Sequence, residues 1–445
     1  MDRNPSSIVT SNLRPYIRDR GPARHFQGRW DHRSHFASVL FAAAEDPQNG
    51  TAFLIQGAPG AGKTALLHQM SVEAKKTGWS VVRVKAEAFE NPAYMAQTLG
   101  KRFYDGLTKE IEADAKLVRS RKAGHIAPIQ SVTGVLRKHI GRRKQVLLVL
   151  DEAQHLADPS SAVGATSIRS ALSDLTDGDT HRNIVLLMGG LGNTWSALKD
   201  RGLSRLARKC RRHLNRLGPD NARRVVEGWL GDAQCPREHL SVWIHLLFDA
   251  SDGWPQHIIC SVAVAADHFA VHGYAPSPAA MESVTRAINK EKDEYYSARI
   301  SGIPTGDIAL LGILTKACGI GNEYPESELL DILDAGSRRN SPPSQKVLQR
   351  MLAQGVLAEE TDSVGYHIPI PSMESYLFNK AVRYARIQPG IIRRMLRNVC
   401  QVLLDRREMV IEPQDLLDGY WGESSRTPTR LPQRSFGKGD DGPGL

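Results

Sequence analysis

Two hydrophobic rhythms divide the chain near residue 218. Before that point, short unbroken apolar runs alternate with stretches of helical spacing. AFLIQG (Ala52–Gly57) is one such run. Val81, Val82 and Val84 in WSVVRVK, Val146–Leu150 and Asn183–Gly190 supply others, and Arg212–Leu217 a short fifth. Runs of this length predict strands covered on both faces, as in a parallel sheet. Helical spacing separates them at Ser34–Ala44, at Thr64–Lys75 and over 92–140, where RSRKAGH interrupts near 119–125. Strands alternating with helices predict an α/β core with right-handed crossovers.

Beyond Pro219 the strand signal stops. Asn221–Leu230, Pro236–Leu247, Pro255–Val271 and Pro278–Ala298 all carry helical spacing and predict an all-α segment. SGIPTGD (Ser301–Asp307) then reads as a linker. Thr305–Lys316 and Glu326–Leu333 predict two helices. A third opens at SPPS (341–344) with Val347, Leu348, Met351 and Leu352 on one face, and GVLAEETDSVGYHIPIP predicts two short strands around a turn. Three helices and a hairpin is the order of a winged helix–turn–helix. Pro389–Arg406 is helical in spacing, and the remaining tail is rich in Gly, Pro, Ser and Arg, a composition that predicts disorder. The expected division is a flexible lead-in at 1–27, an α/β core at 28–218, a helical lid at 219–300, a winged-helix unit at 305–385, a helical segment at 386–420 and a disordered tail at 421–445.

Composition narrows the setting. The 445 residues are 41% hydrophobic and 24% charged, which excludes a wholly disordered or fibrous chain. Lys and Arg number 58 against 48 Asp and Glu, and the formal charge of +10 favours acidic partners such as nucleic acid. The five cysteines are scattered, with no metal-ligand spacing, and read as reduced thiols. No secretion signal opens the chain and no run of about 18 apolar residues occurs, so the expectation is a cytoplasmic protein without a membrane span.

The chemistry concentrates at the strand ends. GAPGAGKT (57–64) fits G-x-x-x-x-G-K-[ST] and lies between a strand and a helix. Backbone N–H groups must converge on phosphate oxygens there, and Gly57, Gly60 and Gly62 leave the room. The helix start aims at the anion. Lys63 can reach the β- and γ-phosphates of ATP, and the Thr64 hydroxyl can ligate Mg²⁺. Ala58, Pro59, Ala61 and Ala65 complete the expected nucleotide-binding stretch. VLLVLDE places Asp151 at a strand end, where it can hold Mg²⁺ through water, and Glu152 next to it can polarise the attacking water. Two acids favour hydrolysis over binding alone. After the run NIVLLMGGLGNT, Asn193 or Thr194 can hydrogen-bond that water or the γ-phosphate, and Asn193 equally fits a helix N-cap.

GLSRLARKCRRHLNRL is dense in basic residues. It reads as a solvated basic face, as a set of DNA phosphate contacts, or as the carrier of an arginine finger into a neighbouring subunit, with Arg205 the candidate finger. In the third predicted helix of the C-terminal unit, Lys346, Gln349 and Arg350 lie opposite the apolar face, with Arg338 and Arg339 ahead of it. That suits a major groove. The acids of EETDSVG repel phosphate, so DNA contact and protein docking both stay open. His32 and His35 have no third metal ligand in view. Trp195, Trp229, Trp243 and Trp254 read as packing residues.

QGRW (27–30), GAPGAGKT, VLLVLDEAQ, the strand end GGLGNT, GLSR and DGWPQH (252–257) together resemble a bacterial AAA+ P-loop ATPase of the origin-recognition-like group, similar in layout to transposition-accessory and replication-initiator ATPases. The resemblance spans about 28–300, and the winged-helix pattern carries it to 385. It implies a three-layer P-loop NTPase core with a parallel sheet, an all-α lid and a winged helix. It places Gly28 and Arg29 near the adenine, matches Asp151 and Glu152 to the metal-binding and water-activating acids, and makes Asn193 a first sensor. Gln256 falls where many relatives carry an arginine that senses the γ-phosphate. A neutral amide cannot offset phosphate charge as guanidinium does.

The expected function is an ATP-binding, ATP-hydrolysing protein whose nucleotide state controls homo-oligomerisation and DNA binding, in replication, transposition or mobile-element maintenance. The alternative is an ATP-dependent signalling or defence switch whose winged helix docks protein and not DNA. A binding scaffold with negligible turnover, suggested by Gln256, is a third reading.

Overall fold

The computed structural model describes residues 23–45, 51–85, 145–154, 184–200, 210–318, 323–336, 342–359 and 365–388, with isolated positions to 397. The helices expected over 92–140, Arg205 with its GLSR segment, the tail and most of 386–420 lie outside these residues.

Helix α1 (Trp30–Glu45) precedes strand β1 (Thr51–Gln56). Helix α2 (Lys63–Lys76) and strand β2 (Ser80–Lys85) follow, then β3 (Val146–Asp151), β4 (Ile184–Gly190), the short helix α3 (Thr194–Asp200) and β5 (Arg211–His213). The five strands form one parallel sheet in the order β2-β3-β4-β1-β5. Strand β4 is buried along its whole length and β3 up to its last residue, which is why both read as unbroken apolar runs. The fold is a P-loop NTPase-like sheet with surrounding helices. The fifth strand is shorter than the expected Arg212–Leu217, because only Arg211–His213 pair with Leu54–Gln56.

The lid is built from α4 (Pro219–Asp232), α5 (Arg237–Ser251), α6 (Pro255–His272) and α7 (Pro278–Arg299). Prolines set their starts. Pro219, Pro255 and Pro278 open three of them in the first turn, and Pro236 caps α5. A first-turn proline gives up no hydrogen bond and has the helical φ already fixed. Ser277 adds a side-chain cap, accepting from Ala280 N at 3.2 Å. Trp229, Trp243, Leu247, Ile258, Val262, Phe269 and Ile288 form a lid core of their own. Residues Arg24 and His25, expected in a flexible lead-in, pair with Asp232 of α4 at 3.2 and 2.7 Å.

The C-terminal part runs α8 (Thr305–Cys318), β6 (Tyr324–Pro325), α9 (Glu326–Gly336), α10 (Ser344–Gln354), β7 (Ala358–Glu359), β8 (Gly365–His367) and α11 (Met373–Ile387). Its small antiparallel sheet has the order β6-β8-β7. Strand β6 was not visible in the sequence, since two residues carry no periodicity. Among the described residues this part does not have a separate core. One cluster of buried side chains runs from Phe36, Phe53 and Leu66 of the ATPase layers through Trp254 and Tyr296 to Leu310, Leu348, Leu357 and Leu377.

Asp307, in the first turn of α8, is buried and its Oδ2 has no hydrogen-bond partner. Burial raises its carboxyl pKa to about 6. A carboxyl held above its unfolded value costs stability once ionised, so the penalty appears as pH rises past about 4 and is complete above 6. Asp307→Asn is expected to raise stability by about 1 kcal/mol at pH 8 and to change little at pH 4, in denaturant titrations at the two pH values. The magnitude is reduced because solvent still screens part of the group.

Candidate nucleotide site

The site forms where β1, β3 and β4 end together, the crevice that open parallel sheets offer to ligands. The loop after β1 has Gly60 at φ 82 and Gly62 at φ 90. At Gly60 both conformation and space demand glycine. A methyl group there would stand 2.7 Å from Gln256 Cβ, 2.9 Å from Trp254 Nε1 and 3.0 Å from Tyr295 Oη.

Lys63 is buried, and its ammonium donates to the loop carbonyls of Gly57 at 2.9 Å and Ala58 at 3.1 Å. Burial lowers its pKa to about 8. The nearby charges of Glu152 and Asp151 work against that shift, and Arg299 adds to it. Thr64 Oγ1 donates to Asp151 Oδ2 at 2.8 Å. Those are the two side chains expected at Mg²⁺. Among the described residues no group of three or more His, Cys, Asp or Glu side chains can hold a metal unaided. A divalent ion between Thr64 and Asp151 therefore needs oxygens from phosphate and water, as Mg²⁺ at nucleotides does.

Glu152 follows with φ 59, a left-handed conformation that costs a β-carbon residue about 1–2 kcal/mol. Its own N–H donates to Asp151 Oδ1 at 3.0 Å, which helps to hold the turn. Gln154 Nε2 donates to Glu152 Oε2 at 2.6 Å, and Gln154 Oε1 accepts from Leu191 N at 3.2 Å. Gln154 thus ties the acid to the loop after β4. It lay within the quoted VLLVLDEAQ, but nothing in the spacing marked it as a tether. In the same loop Asn193 Oδ1 is buried with no hydrogen-bond partner. A lone acceptor suits a water molecule, and a turned amide suits a phosphate oxygen.

Of the remaining expected residues, Gly28 lies against Asn221 of α4, and Arg29 reaches the loop. Arg29 Nη2 donates to Ala61 O at 3.1 Å and to Asn215 O at 2.5 Å, and burial lowers the Arg29 pKa to about 10. Gln256 N donates to Gly60 O at 3.1 Å, so Gln256 does reach the loop through its backbone, while its side chain is exposed. His257 beside it is buried, and desolvation lowers its pKa to about 3. Two residues with no sequence signal complete the lid contact. Tyr295 Oη donates to Pro59 O at 2.6 Å, and Arg299 lies over the Tyr295 ring, 5.1 Å from its centroid.

The C-terminal part also reaches this loop. Gly355 packs on the Pro59 ring, where a β-carbon would come within 2.3 Å of Pro59 Cδ. Strand β7 covers the loop after β4: a methyl at Gly192 would stand 2.6 Å from Ala358 Cβ, and Ser196 Oγ donates to Glu359. His213 and His367 meet edge to face at 5.4 Å. Tyr296 Oη and Ser372 Oγ are 2.6 Å apart, and Ser297 Oγ and Tyr376 Oη 2.7 Å. In α10, Lys346, Gln349 and Arg350 are exposed, though Arg350 donates to Gly302 O and Gln354 to Ser301 O at 2.7 Å.

Residues 25–187 match the family model described as the AAA ATPase domain. No curated protein matches the chain in sequence. Among solved structures it is similar to the Walker-type ATPase PABY2304 of Pyrococcus abyssi, at 16% identity over 81% of this chain and 99% of that one, with a TM-score of 0.52. It is also similar to the Aeropyrum pernix ORC2 protein in its ADP form, at 15% identity over 86% and 97% of the two chains, with a TM-score of 0.51. At these identities the two structures establish a shared fold.

Proposed function

With an AAA ATPase domain at residues 25–187 that hydrolyses ATP as the premise, we propose that the nucleotide sets the position of the C-terminal part and through it controls assembly and DNA binding. The observation that carries this reading is the loop Gly57–Thr64. It holds the phosphate-binding lysine, and both the lid (Gln256, Tyr295) and the C-terminal part (Gly355) rest on it.

The geometry of the described residues supports the following roles. The loop N–H groups and the start of α2 receive phosphate oxygens. Lys63 exchanges the Gly57 and Ala58 carbonyls for phosphate, and the added negative charge favours its ammonium form. Thr64 and Asp151 hold Mg²⁺, which when bound offsets charge on the phosphates. Glu152 orients and polarises the attacking water, with Gln154 fixing its carboxylate. Asn193 holds the same water or the γ-phosphate. Hydrolysis here is mainly positioning and electrostatics. Arg205, by its place in GLSR, is the candidate finger from a neighbouring copy in a homo-oligomer.

The arrangement of α8 to α11 with the sheet β6-β8-β7 supports a winged helix, in which α10 offers Lys346, Gln349 and Arg350 to DNA. The contacts of Gly355, Ala358 and Glu359 with the ATPase loops favour a second reading, in which the winged helix docks protein, its own core first of all.

Steady-state ATP hydrolysis with and without duplex DNA, in wild type and Glu152→Gln, separates the two. The DNA reading expects turnover raised by DNA, with an effect that falls steeply with salt because phosphate contacts release counterions. Glu152→Gln should bind ATP and stall. Turnover indifferent to DNA moves the docking reading ahead. A wild type no faster than Glu152→Gln overturns the hydrolytic assignment of Glu152.

A further inference from the structure

The lid places one cation against the phosphate loop that neither the motif nor the resemblance assigns. Arg299 closes helix α7. One turn earlier, Tyr295 is fixed to the loop by its hydrogen bond to Pro59 O, and the Arg299 guanidinium lies over the Tyr295 ring. Stacking on a ring held against Pro59 keeps the guanidinium beside the loop. Its Nε is buried and donates to no acceptor. A last-turn arginine is favourable at any helix end, through the helix dipole. That general role gives no reason to bury the Nε donor without a partner, which costs free energy unless something fills the place.

The lid position expected to sense the γ-phosphate holds no cation. ATP brings one more phosphate and more negative charge than ADP, and Gln256 at the start of α6 is neutral. Lys63 and Arg29 bond to the loop directly, and Arg299 stands beside it through Tyr295. Arg29 spends its Nη2 on two backbone carbonyls. Arg299 is near enough to Lys63 to oppose the charge on its ammonium. Glu152 and Asp151 offset that repulsion only from the side of Lys63, and a phosphate between the two cations would relieve it further.

We infer that Arg299 is the lid residue that contacts the terminal phosphate of ATP, supplying from the end of α7 the positive charge that Gln256 cannot supply from the start of α6. This rests on the nucleotide-site reading above. It also fixes where the signal goes. The two residues after Ile300 are Ser301 and Gly302, whose carbonyls accept from Gln354 and Arg350 of α10. A shift of Arg299 toward a phosphate therefore pulls on the joint between lid and C-terminal part.

The test is calorimetric binding of ADP and of an ATP analogue with a non-hydrolysable β–γ bridge to the full chain, in wild type, Arg299→Ala, Arg299→Gln, Arg299→Lys and Tyr295→Phe. Losing a charge-assisted hydrogen bond to phosphate should weaken the ATP analogue about tenfold or more in Arg299→Ala while ADP stays within about twofold. Arg299→Gln keeps the length without the charge and gives the same answer if the alanine variant does not fold. Arg299→Lys should recover part of the loss. Tyr295→Phe keeps the ring under the guanidinium and removes only its anchor to Pro59, so it should weaken the ATP analogue less than Arg299→Ala does. Equal weakening of both ligands in Arg299→Gln and Tyr295→Phe would make Arg299 a packing residue and overturn the inference, as would no change in either ligand. A wild type that binds neither ligand overturns the nucleotide-site reading itself, a result recognisable without the variants.

Discussion

Lys63→Met is expected to abolish ATP turnover and weaken nucleotide binding by about a hundredfold, while making the nucleotide-free protein more stable. The first effect follows from removing an ammonium that serves the phosphates, since hydrogen bonds to charged groups contribute up to about 3 kcal/mol each. The second follows from the state in which the structure holds the lysine. Its charge is buried, and its pKa falls to about 8. A cation whose folded pKa lies below its unfolded value costs stability while it is charged. The cost is therefore full below pH 8 and fades as pH rises toward 10.5, where the unfolded chain also loses the proton. Replacing the side chain with an apolar one of similar length should gain about 2 kcal/mol at pH 7, less than the whole shift because the loop carbonyls lose their donor. Thermal melting and nucleotide binding on the same preparation check both halves. A variant that loses binding and also melts lower would show that Lys63 holds the loop together as much as it holds phosphate.

The second large effect concerns the seat of β7. Gly192 is not in a left-handed conformation, so a larger residue there meets a clash and no backbone strain. The clash is with Ala358 backbone as well as side chain: the new carbon would stand 2.6 Å from Ala358 Cβ and 2.9 Å from Ala358 Cα. Backbone cannot turn aside as a flexible side chain can. Gly192→Val should cost about 2–3 kcal/mol of docking and expose Ala358–Glu359 to hydrogen exchange, with the sheet still folded. Ala358→Gly in the same chain should restore part of the protection, since the two changes share one contact. Unchanged exchange at β7 in Gly192→Val would mean that the loop after β4 moves instead.

These two sites differ in how well the sequence announced them. Lys63, Thr64 and Asp151 were legible because the signal is local: an apolar strand, a turn that needs glycine, and a helix or an acid at a fixed offset. The lid helices were legible for a similar reason, since their prolines sit where a helix can accept them. Tyr295 was not, because its partner Pro59 is 236 residues away and a tyrosine in an amphipathic helix looks like packing. Arg299 lies one residue beyond the helix that the spacing predicts, and nothing local marks it. The exposed basic face of α10 was visible from spacing. That Arg350 turns to Gly302 was not, because that depends on how the lid meets the C-terminal part. The seat of Gly355 on Pro59 is of the same kind: each glycine is ordinary in its own segment, and only the folded chain shows which surface it lets approach.

The shared cluster that runs from Phe36 to Leu377, with the lid core apart from it, gives the chain a cooperative order unlike its chain order. The segment in the middle, α4 to α7, has a core of its own but is tied to the shared cluster through Trp254 and Tyr296. The segments before and after it stand or fall together, because Leu66 and Leu357 belong to one buried body. Heating should therefore give a calorimetric trace in which the two flanking segments share one transition. Cutting the chain at the linker near residue 303 would then not release an intact ATPase. It would strip one wall from the ATPase's own interior, and the shortened protein would need something else to cover it.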